Sequence, residues 1–171
     1  MLEDFARPSR HLPAPTPQET LAWMVRATKA GLVNVELRLF TEQLVKGLWP
    51  HDYLSEYAAL LHWVRTHLRY VRDPVVIEQV KTPQVTIETG TGDCDDLTVV
   101  LGTMVGTIGG RARYVAGAFA READGSPNFS HVWCEAFDPA AKAWVVLDPV
   151  PGRNVSSMLR RLLDTIITEA A

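Results

Sequence analysis

Three side chains in the second half of the sequence could together attack a carbonyl group: those of Cys94, His131 and Asp148. A cysteine thiolate is a nucleophile, an imidazole can remove the thiol proton, and a carboxylate can orient the imidazole. The three residue types occur together in many chains, so their presence alone indicates little. Their predicted positions, at a helix start, a strand start and a strand end, make this combination more specific.

Cys94 lies in the stretch TGTGDCDDLTVVLG, where three acidic residues surround it. We predict that Asp93 caps a helix whose first residue is Cys94, and that Asp96 at the third position completes a capping box. The helix dipole favours a thiolate by only about 0.3–1 kcal/mol at an exposed site, which does not outweigh three nearby carboxylates. A thiolate at Cys94 therefore needs a cationic partner, and histidine is the usual one.

Asp95, the remaining acid of this stretch, either lines a cleft or is solvated, and the pattern favours solvent. Consecutive acids at a helix start are expected to point in diverging directions, and no calcium-loop pattern follows them. We therefore predict no metal site at Asp93, Asp95 and Asp96, and no cofactor.

His131 differs from the other four histidines because it opens a predicted strand, SHVWCEAF. Strand alternation puts His131 and Trp133 on one face and Cys134 on the other. If this strand forms a hairpin with residues 143–148, the registers that set His131 or Trp133 opposite Asp148 bring His131 and Asp148 to one face. Asp148 could then accept a hydrogen bond from one ring nitrogen of His131 and leave the other nitrogen facing the thiol.

The composition predicts a compact protein without a polyanionic partner. The chain has 171 residues, of which 47% are hydrophobic, and a net charge of −3. This length and hydrophobic content are enough for one domain with a core. The negative net charge lacks the basic excess that nucleic-acid binding requires. We interpret Arg65, Arg69 and Arg72 as the solvated face of a helix. Cys134 is interpreted as a small buried hydrophobe, so the two cysteines are not expected to form a disulfide.

The first residues, MLEDFARPSRHLPAP, have no apolar segment behind a basic one, so we expect no signal peptide and a cytoplasmic location at synthesis. No apolar run reaches the ~18 residues that a membrane span needs, so no membrane partner is expected.

The hydrophobic periodicity predicts helices first and an antiparallel sheet afterwards, which is an α+β arrangement. We expect an extended arm over residues 1–15 and one domain over residues 16–171, with its core at 60–150 and a C-terminal helix at 153–168. The segment 75–92 has no helical period and is predicted to be a loop with short extended pieces. Helices are predicted over 17–30, 34–48, 51–73 and 93–108, and strands over 111–120, 130–137 and 143–147.

Two longer stretches, GDCDDLTVVLGTMVGTIGGRARYVAG and SHVWCEAFDPAAKAWVVLDPV, resemble the transglutaminase-like superfamily of papain-like cysteine peptidases. The family pattern is Gly-x-Cys-x-Asp, an apolar helix, an Arg-bearing strand, His-x-Trp-x-Glu and Trp-x-x-x-Asp-Pro. The resemblance implies a papain-like fold, in which the cysteine-bearing helix packs on a small antiparallel sheet. The stretch YVRDPVVIEQVKTPQVTIETGTGDCDD looks closer still to bacterial and phage-encoded members. The matching residues are Gly92, Cys94, Asp96, Gly109, Arg113, His131, Trp133, Glu135, Trp144, Asp148 and Pro149.

The resemblance implies a triad of Cys94, His131 and Asp148 that acts on a peptide or protein substrate through a thioester. The acyl group would pass to water, as in a peptidase or amidase, or to an amine, as in a transferase. Asp93, Asp96 and Trp133 would support the site.

The oxyanion of such a reaction needs hydrogen-bond donors. The backbone N–H of Cys94 is one candidate, and the side chains of Gln84, Trp49 and Tyr70 are the others.

Two other functions stay open. The chain could be a non-catalytic protein that keeps this fold, for example a phage structural or assembly component that is associated with other virion proteins. It could also be an arylamine N-acetyltransferase-like enzyme, although no segment is recognisable as an acyl-CoA site. The presence of all three triad residues favours a thiol enzyme over the non-catalytic protein, and the lack of a recognisable acyl-CoA site counts against the acetyltransferase.

Overall fold

The computed structural model describes residues 9–13, 15–72 and 77–171. Within these residues the chain forms six α-helices and eight β-strands. The helices are α1 (Pro17–Leu32), α2 (Val35–Val45), α3 (Tyr53–His67), α4 (Pro83–Thr89), α5 (Cys94–Thr107) and α6 (Val155–Arg160). The strands are β1 (Ser9–Pro13), β2 (Arg69–Tyr70), β3 (Ile77–Lys81), β4 (Thr91–Gly92), β5 (Ala112–Arg121), β6 (Pro127–Asp138), β7 (Ala143–Leu147) and β8 (Asp164–Glu169).

The main sheet is antiparallel, with the strand order β7-β6-β5-β8. Two small pairs lie outside it: β1 with β3, which are antiparallel, and β2 with β4, which are parallel. Five of the six helices precede the main sheet in the chain. The predicted α+β fold, with a cysteine-bearing helix against an antiparallel sheet, is confirmed.

Helix α5 lies at the centre of the core. Its sequence, CDDLTVVLGTMVGT, is apolar on nearly every side, and a helix of this kind is stable only when other elements cover it all round. It packs against α1, α3, α4 and β6, and Leu97, Leu101 and Met104 are fully buried. Burial of each such side chain contributes about 1.5–3 kcal/mol. The packing therefore fixes the helix that carries Cys94.

The close approach of α5 to the sheet depends on Gly102. A Cβ atom at this position would overlap the ring of Tyr114 on β5. The Tyr114 hydroxyl in turn forms a hydrogen bond with the Thr28 hydroxyl of α1. A larger residue at position 102 would force α5 away from β5, so this glycine sets the distance between the helix and the sheet.

The prediction that α3 continues to about residue 73 is wrong, because the helix ends at His67. Leu68 is already extended, with φ −108° and ψ 133°. The next two residues form β2 and pair with β4, immediately before α5. This pairing is a tertiary interaction, and it overrides the helical periodicity of the segment.

The prediction that residues 75–92 form a loop misses α4. Thr82 caps this helix and Pro83 is its first residue, while Gly90 follows it with a left-handed φ of 65°. These three residues are standard start and stop signals, so the sequence did contain the information. The helix is short, and its hydrophobic periodicity is therefore weak.

The predicted C-terminal helix at 153–168 is also wrong over most of its length. Only α6 is helical, and residues 164–169 form β8 at the free edge of β5. The four consecutive residues 165–168, TIIT, are β-branched, and this composition favours a strand. Pairing with β5 then satisfies the backbone groups of that edge.

The N-terminal arm is extended where it is described, and its strand β1 pairs with β3. The rest of the predicted arm lies outside the described residues, apart from residue 15. None of the helices within the described ranges combines the length and hydropathy needed to cross a membrane.

Candidate active site

The start of α5 has the predicted capping box. The Asp93 side chain accepts from the backbone N–H of Asp96 at 3.4 Å, and the Asp96 side chain accepts from the backbone N–H of Asp93 at 3.3 Å. Cys94 is the first residue of the helix and is half-buried. The box ties down the backbone on both sides of the thiol.

Asp96 has a second set of partners that the sequence did not reveal. The backbone N–H and the ammonium group of Lys81 donate to its two carboxylate oxygens at 2.7 Å and 2.6 Å. Burial raises the pKa of the Asp96 carboxyl, and the Lys81 contacts oppose that shift. Gly92 is also required here, because a Cβ atom would lie 2.5 Å from the Cβ of Asp96. Asp96 therefore has the structural role that was predicted for it.

Asp95 is not solvated, which corrects the prediction from the sequence. It is only 2% exposed, and neither of its carboxylate oxygens has a hydrogen-bond partner among the residues that the structure describes. The expected divergence of the acids is also wrong for two of them. One carboxylate oxygen each of Asp93 and Asp95 and the sulfur of Cys94 lie within 4.8 Å of one another.

The hairpin of β6 and β7 has one of the two registers that were predicted. Cys134 pairs with Leu147, so continuing the register sets Trp133 opposite Asp148. Opposite residues of an antiparallel pair project from the same face. His131, two positions before Trp133, therefore shares its face with Asp148.

His131 and Asp148 form a buried pair at the end of this hairpin. The Nε2 atom of His131 lies 2.9 Å from the Oδ2 atom of Asp148, and the two side chains are 1% and 0% exposed. The other oxygen of Asp148 accepts from the backbone N–H of Val150 at 3.0 Å. These contacts fix the carboxylate, which can then fix the orientation of the imidazole.

The contact with Asp148 determines the tautomer of neutral His131. An ionised carboxylate can only accept, so Nε2 carries the hydrogen and Nδ1 is the basic nitrogen. Nδ1 is buried and has no hydrogen-bond partner within the described part of the chain. An unpaired buried acceptor costs roughly 1–3 kcal/mol, so a donor that forms a hydrogen bond with Nδ1 would be stabilising.

A hydrogen bond joins α5 to β6 next to His131, which lies within the strand and not at its start as predicted. The hydroxyl of Thr98 donates to the carbonyl oxygen of Val132 at 3.3 Å. Cys94 lies four residues before Thr98, so both side chains lie on the same helix face, one turn apart. The pairing of β5 with β6 also becomes irregular directly after the pair Gly117–His131. Such irregularities change the direction of nearby side chains, and His131 lies at this irregular point of the strand.

Trp133 packs beside His131, with the ring centroids 6.0 Å apart. Its indole N–H lies 3.3 Å from Glu135, whose carboxylate also accepts from Arg113 at 2.6 Å. Arg113 in turn stacks on Trp144, 4.2 Å from the ring centroid. The network fixes the side chains beside His131, and the supporting role of Trp133 in a site stays a prediction.

The interpretation of three arginines as a solvated helix face needs correction. Arg69 lies in β2 and Arg72 follows that strand, both outside α3. Arg65 belongs to α3 and donates twice to the carbonyl oxygen of Asp148, at 2.9 Å and 2.6 Å. It thus fixes the backbone of a site residue, and nothing in the sequence around Arg65 distinguishes it from a surface residue.

The side-chain donors for an oxyanion stay predictions. Trp49 is 83% exposed, which is a poor setting for a donor that must act away from water. Tyr70 is half-buried and pairs with Gly92, two residues before Cys94. Gln84 lies in the first turn of α4 and is also half-buried.

Residues 42–149 match the family model of the transglutaminase-like superfamily. No curated protein sequence matches the chain significantly. The fold is similar to that of a candidate cysteine protease from Cytophaga hutchinsonii, with a TM-score of 0.59, 14% identity, and coverage of 94% of this chain and 54% of that one. It is also similar to a candidate protease from Parabacteroides distasonis, with a TM-score of 0.55, 10% identity, and coverage of 74% and 26%.

The chain thus spans about half the length of the first of these proteins and about a quarter of the second. At such low identities the structural likeness shows the fold alone. The family match is independent of it, extends over more than half of the chain and includes Cys94, His131 and Asp148. The protein therefore belongs to the transglutaminase-like superfamily.

Proposed function

We propose that the protein is a thiol-dependent enzyme that cleaves or transfers amide bonds of a peptide or protein substrate, most simply as a peptidase or amidase. The observation that carries this proposal is the buried His131, whose Nε2 atom contacts Asp148 while Nδ1 has no hydrogen-bond partner among the residues that the structure describes. This is the arrangement that a general base needs before its proton donor is engaged. The family supports the same assignment of Cys94, His131 and Asp148 as a triad.

The first half of the reaction forms a thioester. His131 Nδ1 takes the proton from the sulfur of Cys94, and the thiolate attacks the amide carbonyl carbon. A carbon–sulfur bond forms and the carbonyl electron pair moves to the oxygen. The tetrahedral intermediate then collapses, the carbon–nitrogen bond breaks, and the leaving amine takes the proton from His131.

The second half returns the enzyme to its starting state. His131 removes a proton from water or from an amine, and that nucleophile attacks the thioester carbonyl. Breakage of the carbon–sulfur bond releases a carboxylic acid or a new amide, and the thiolate recovers the proton from His131. Asp148 stabilises the imidazolium in both halves, because its carboxylate accepts from Nε2 at 2.9 Å.

A substrate-independent test uses an activated ester such as p-nitrophenyl acetate. The expected result is a burst of nitrophenolate and an acetyl group on Cys94, detected by mass spectrometry of the acid-quenched protein. Denatured casein with a fluorescent primary amine then separates the two outcomes, since new amino termini report hydrolysis and incorporated dye reports transfer.

The matched variants are Cys94→Ala and Cys134→Ala. The first should abolish the burst and the second should keep it, because Cys134 is fully buried. Acetylation spread over surface lysines, with no preference for Cys94, would contradict the proposal. That outcome would favour the alternative of a non-catalytic structural or virion-associated protein.

A further inference from the structure

Three residues at the start of α5 form a cluster of possible metal ligands. One carboxylate oxygen of Asp93, the sulfur of Cys94 and one carboxylate oxygen of Asp95 all lie within 4.8 Å of one another. We propose that this cluster is a regulatory metal site, which binds a thiophilic divalent cation such as Zn²⁺ and thereby blocks the thiol of Cys94.

Asp95 provides the independent observation for this site. Its side chain is almost fully buried, yet neither carboxylate oxygen has a hydrogen-bond partner among the described residues. The neighbouring Asp96 is equally buried but has the ammonium group of Lys81 at 2.6 Å. An ionised carboxylate that is buried without a partner costs several kcal/mol. A bound cation supplies the missing partner.

The ligand set selects the kind of cation. Zn²⁺ takes sulfur at about 2.3 Å and carboxylate oxygen at about 2.0–2.2 Å in tetrahedral geometry, so its ligand atoms lie roughly 3.3–3.6 Å apart. The three ligand atoms lie within 4.8 Å of one another, so movements of about 1 Å in the carboxylate oxygens bring them to that spacing. Mg²⁺ and Ca²⁺ require six or more oxygen ligands and do not favour sulfur. Three protein ligands leave the fourth position of Zn²⁺ for water.

The electrostatics of the helix start also permit a cation. The helix dipole places roughly half a positive charge at this end, which opposes cation binding. Two carboxylates and a thiolate outweigh it. The capping role of Asp93 does not exclude coordination, because its contact with the Asp96 N–H is long, at 3.4 Å, and each carboxylate oxygen has two lone pairs.

Coordination of Zn²⁺ by Cys94 would inhibit the enzyme by occupying its nucleophile. When Zn²⁺ binds, the thiol proton passes to solvent and the thiolate donates an electron pair to the metal, which makes the sulfur a much weaker nucleophile towards a carbonyl. A chelator would restore the thiol, so the inhibition is reversible. This consequence rests on the proposed function, whereas the binding itself does not.

Cobalt substitution gives a direct test of binding. The 171-residue chain is titrated anaerobically, in its reduced form, with Co²⁺, which reports thiolate ligation by a charge-transfer band in the near ultraviolet. The wild type should show this band, and Zn²⁺ should displace it. Cys94→Ser should abolish the band, and Asp95→Asn should weaken Co²⁺ binding by at least about tenfold, or about 1.4 kcal/mol. Cys134→Ala and Glu88→Gln, an exposed acid on α4, should change nothing.

Protection of the thiol is the second measurement. Zn²⁺ should slow the alkylation of Cys94 in the wild type, a chelator should reverse the effect, and Mg²⁺ should have none. If Asp95→Asn does not fold, as judged by circular dichroism, Asp93→Asn replaces it, because asparagine caps a helix as well as aspartate does. This variant should also weaken Co²⁺ binding.

The outcomes separate this proposal from the proposed function. A wild type that forms the acyl-enzyme but shows no band overturns the metal site and leaves the enzyme standing. A band in a protein that never acylates Cys94 supports the metal site and contradicts the enzyme. A band of unchanged affinity in Asp95→Asn or Asp93→Asn also overturns the site, because the ligands would then lie elsewhere.

Discussion

Cys94 and Cys134 lie on two elements that pack against each other, α5 and β6, yet their settings differ in every respect that governs thiol chemistry. Cys134 lies in the middle of a strand, is fully buried, and has a pKa that burial raises, with Glu135 adding to the shift. Cys94 is half-buried at the first position of a helix, where backbone N–H groups are not used by the helix. The contrast shows that the start of a helix gives a thiol partial exposure and free N–H groups, which the middle of a buried strand does not.

The two faces of β6 repeat this contrast within one strand. Val132, Cys134 and Ala136 belong to the main core, whereas Trp133 belongs to a smaller cluster on the other face. His131 and Glu135 lie on that second face and have ionic partners there. Because successive side chains of a strand point to opposite faces, β6 packs against the core with one face and carries residues of the candidate site on the other.

Asp148→Asn should remove most of the reactivity towards substrate that distinguishes Cys94 from Cys134. An amide in place of the carboxylate can favour the wrong tautomer of His131 and cannot stabilise its charged form, so kcat should fall by roughly 10³–10⁴. The measurement is single-turnover acylation of Cys94. Because the Asn Oδ1 atom can still accept from Val150, the thermal unfolding curve should change little. A variant with normal turnover would show that Cys94 does not depend on this pair.

Lys81→Met should disturb the setting of Cys94 and leave that of Cys134 intact. The variant leaves the Asp96 carboxylate buried without its cation, which should cost about 3 kcal/mol in the free energy of unfolding, measured in urea. Hydrogen exchange should increase at the start of α5 but not in β6. The control is Arg38→Met, which breaks an exposed ion pair and should cost less than about 1 kcal/mol. Equal losses in the two variants would contradict the structural role of Lys81.

Alkylation rates compare the two thiols directly. In the folded protein at neutral pH and without metal, iodoacetamide should label Cys94 at least roughly 100-fold faster than Cys134, because Cys134 reacts only when the core opens. His131→Gln should slow the labelling of Cys94 alone, and in urea both thiols should react at similar rates. Mass spectrometry of the peptides resolves the two sites. Equal labelling in the folded state would refute the assignment of Cys94 as the reactive thiol.

Alkaline pH should reveal the burial of Cys134. Its folded-state pKa is raised above the unfolded value of about 8.5, so the stability that the protonated thiol contributes is present below about pH 8.5 and is lost as the pH rises. Between about pH 7.5 and about pH 9.5 the loss should be about 1.4 kcal/mol at most. Cys134→Ala should remove this part of the pH dependence. If urea unfolding of wild type and variant has the same pH dependence, the thiol is not held protonated in the fold.

Much of the candidate site was predictable because its signals are local. The capping box needs only residues three apart, and the strand pattern of SHVWCEAF needs only alternation. Two hairpin registers were predicted to put His131 and Asp148 on one face, and the structure has one of them. The same local reasoning failed at β8, where the edge of β5 recruits a segment that was predicted to be helical.

The contacts that complete the site could not be predicted, because they join distant parts of the chain. Lys81 reaches Asp96 across fifteen residues, and Arg65 reaches the Asp148 carbonyl across 83. A lysine or an arginine on a surface looks the same in a sequence whether or not such a partner exists.

The sequence by itself therefore determined the helix start around Cys94, the face of His131 and the presence of a carboxylate at the strand end, since each depends on neighbours a few residues away. Only the tertiary structure decided that Asp95 is buried beside the thiol. It also decided that, within the described ranges, neither Nδ1 of His131 nor the carboxylate of Asp95 has a hydrogen-bond partner. Burial and pairing are properties of the packed chain, because the groups that exclude water from a side chain come from every element around it.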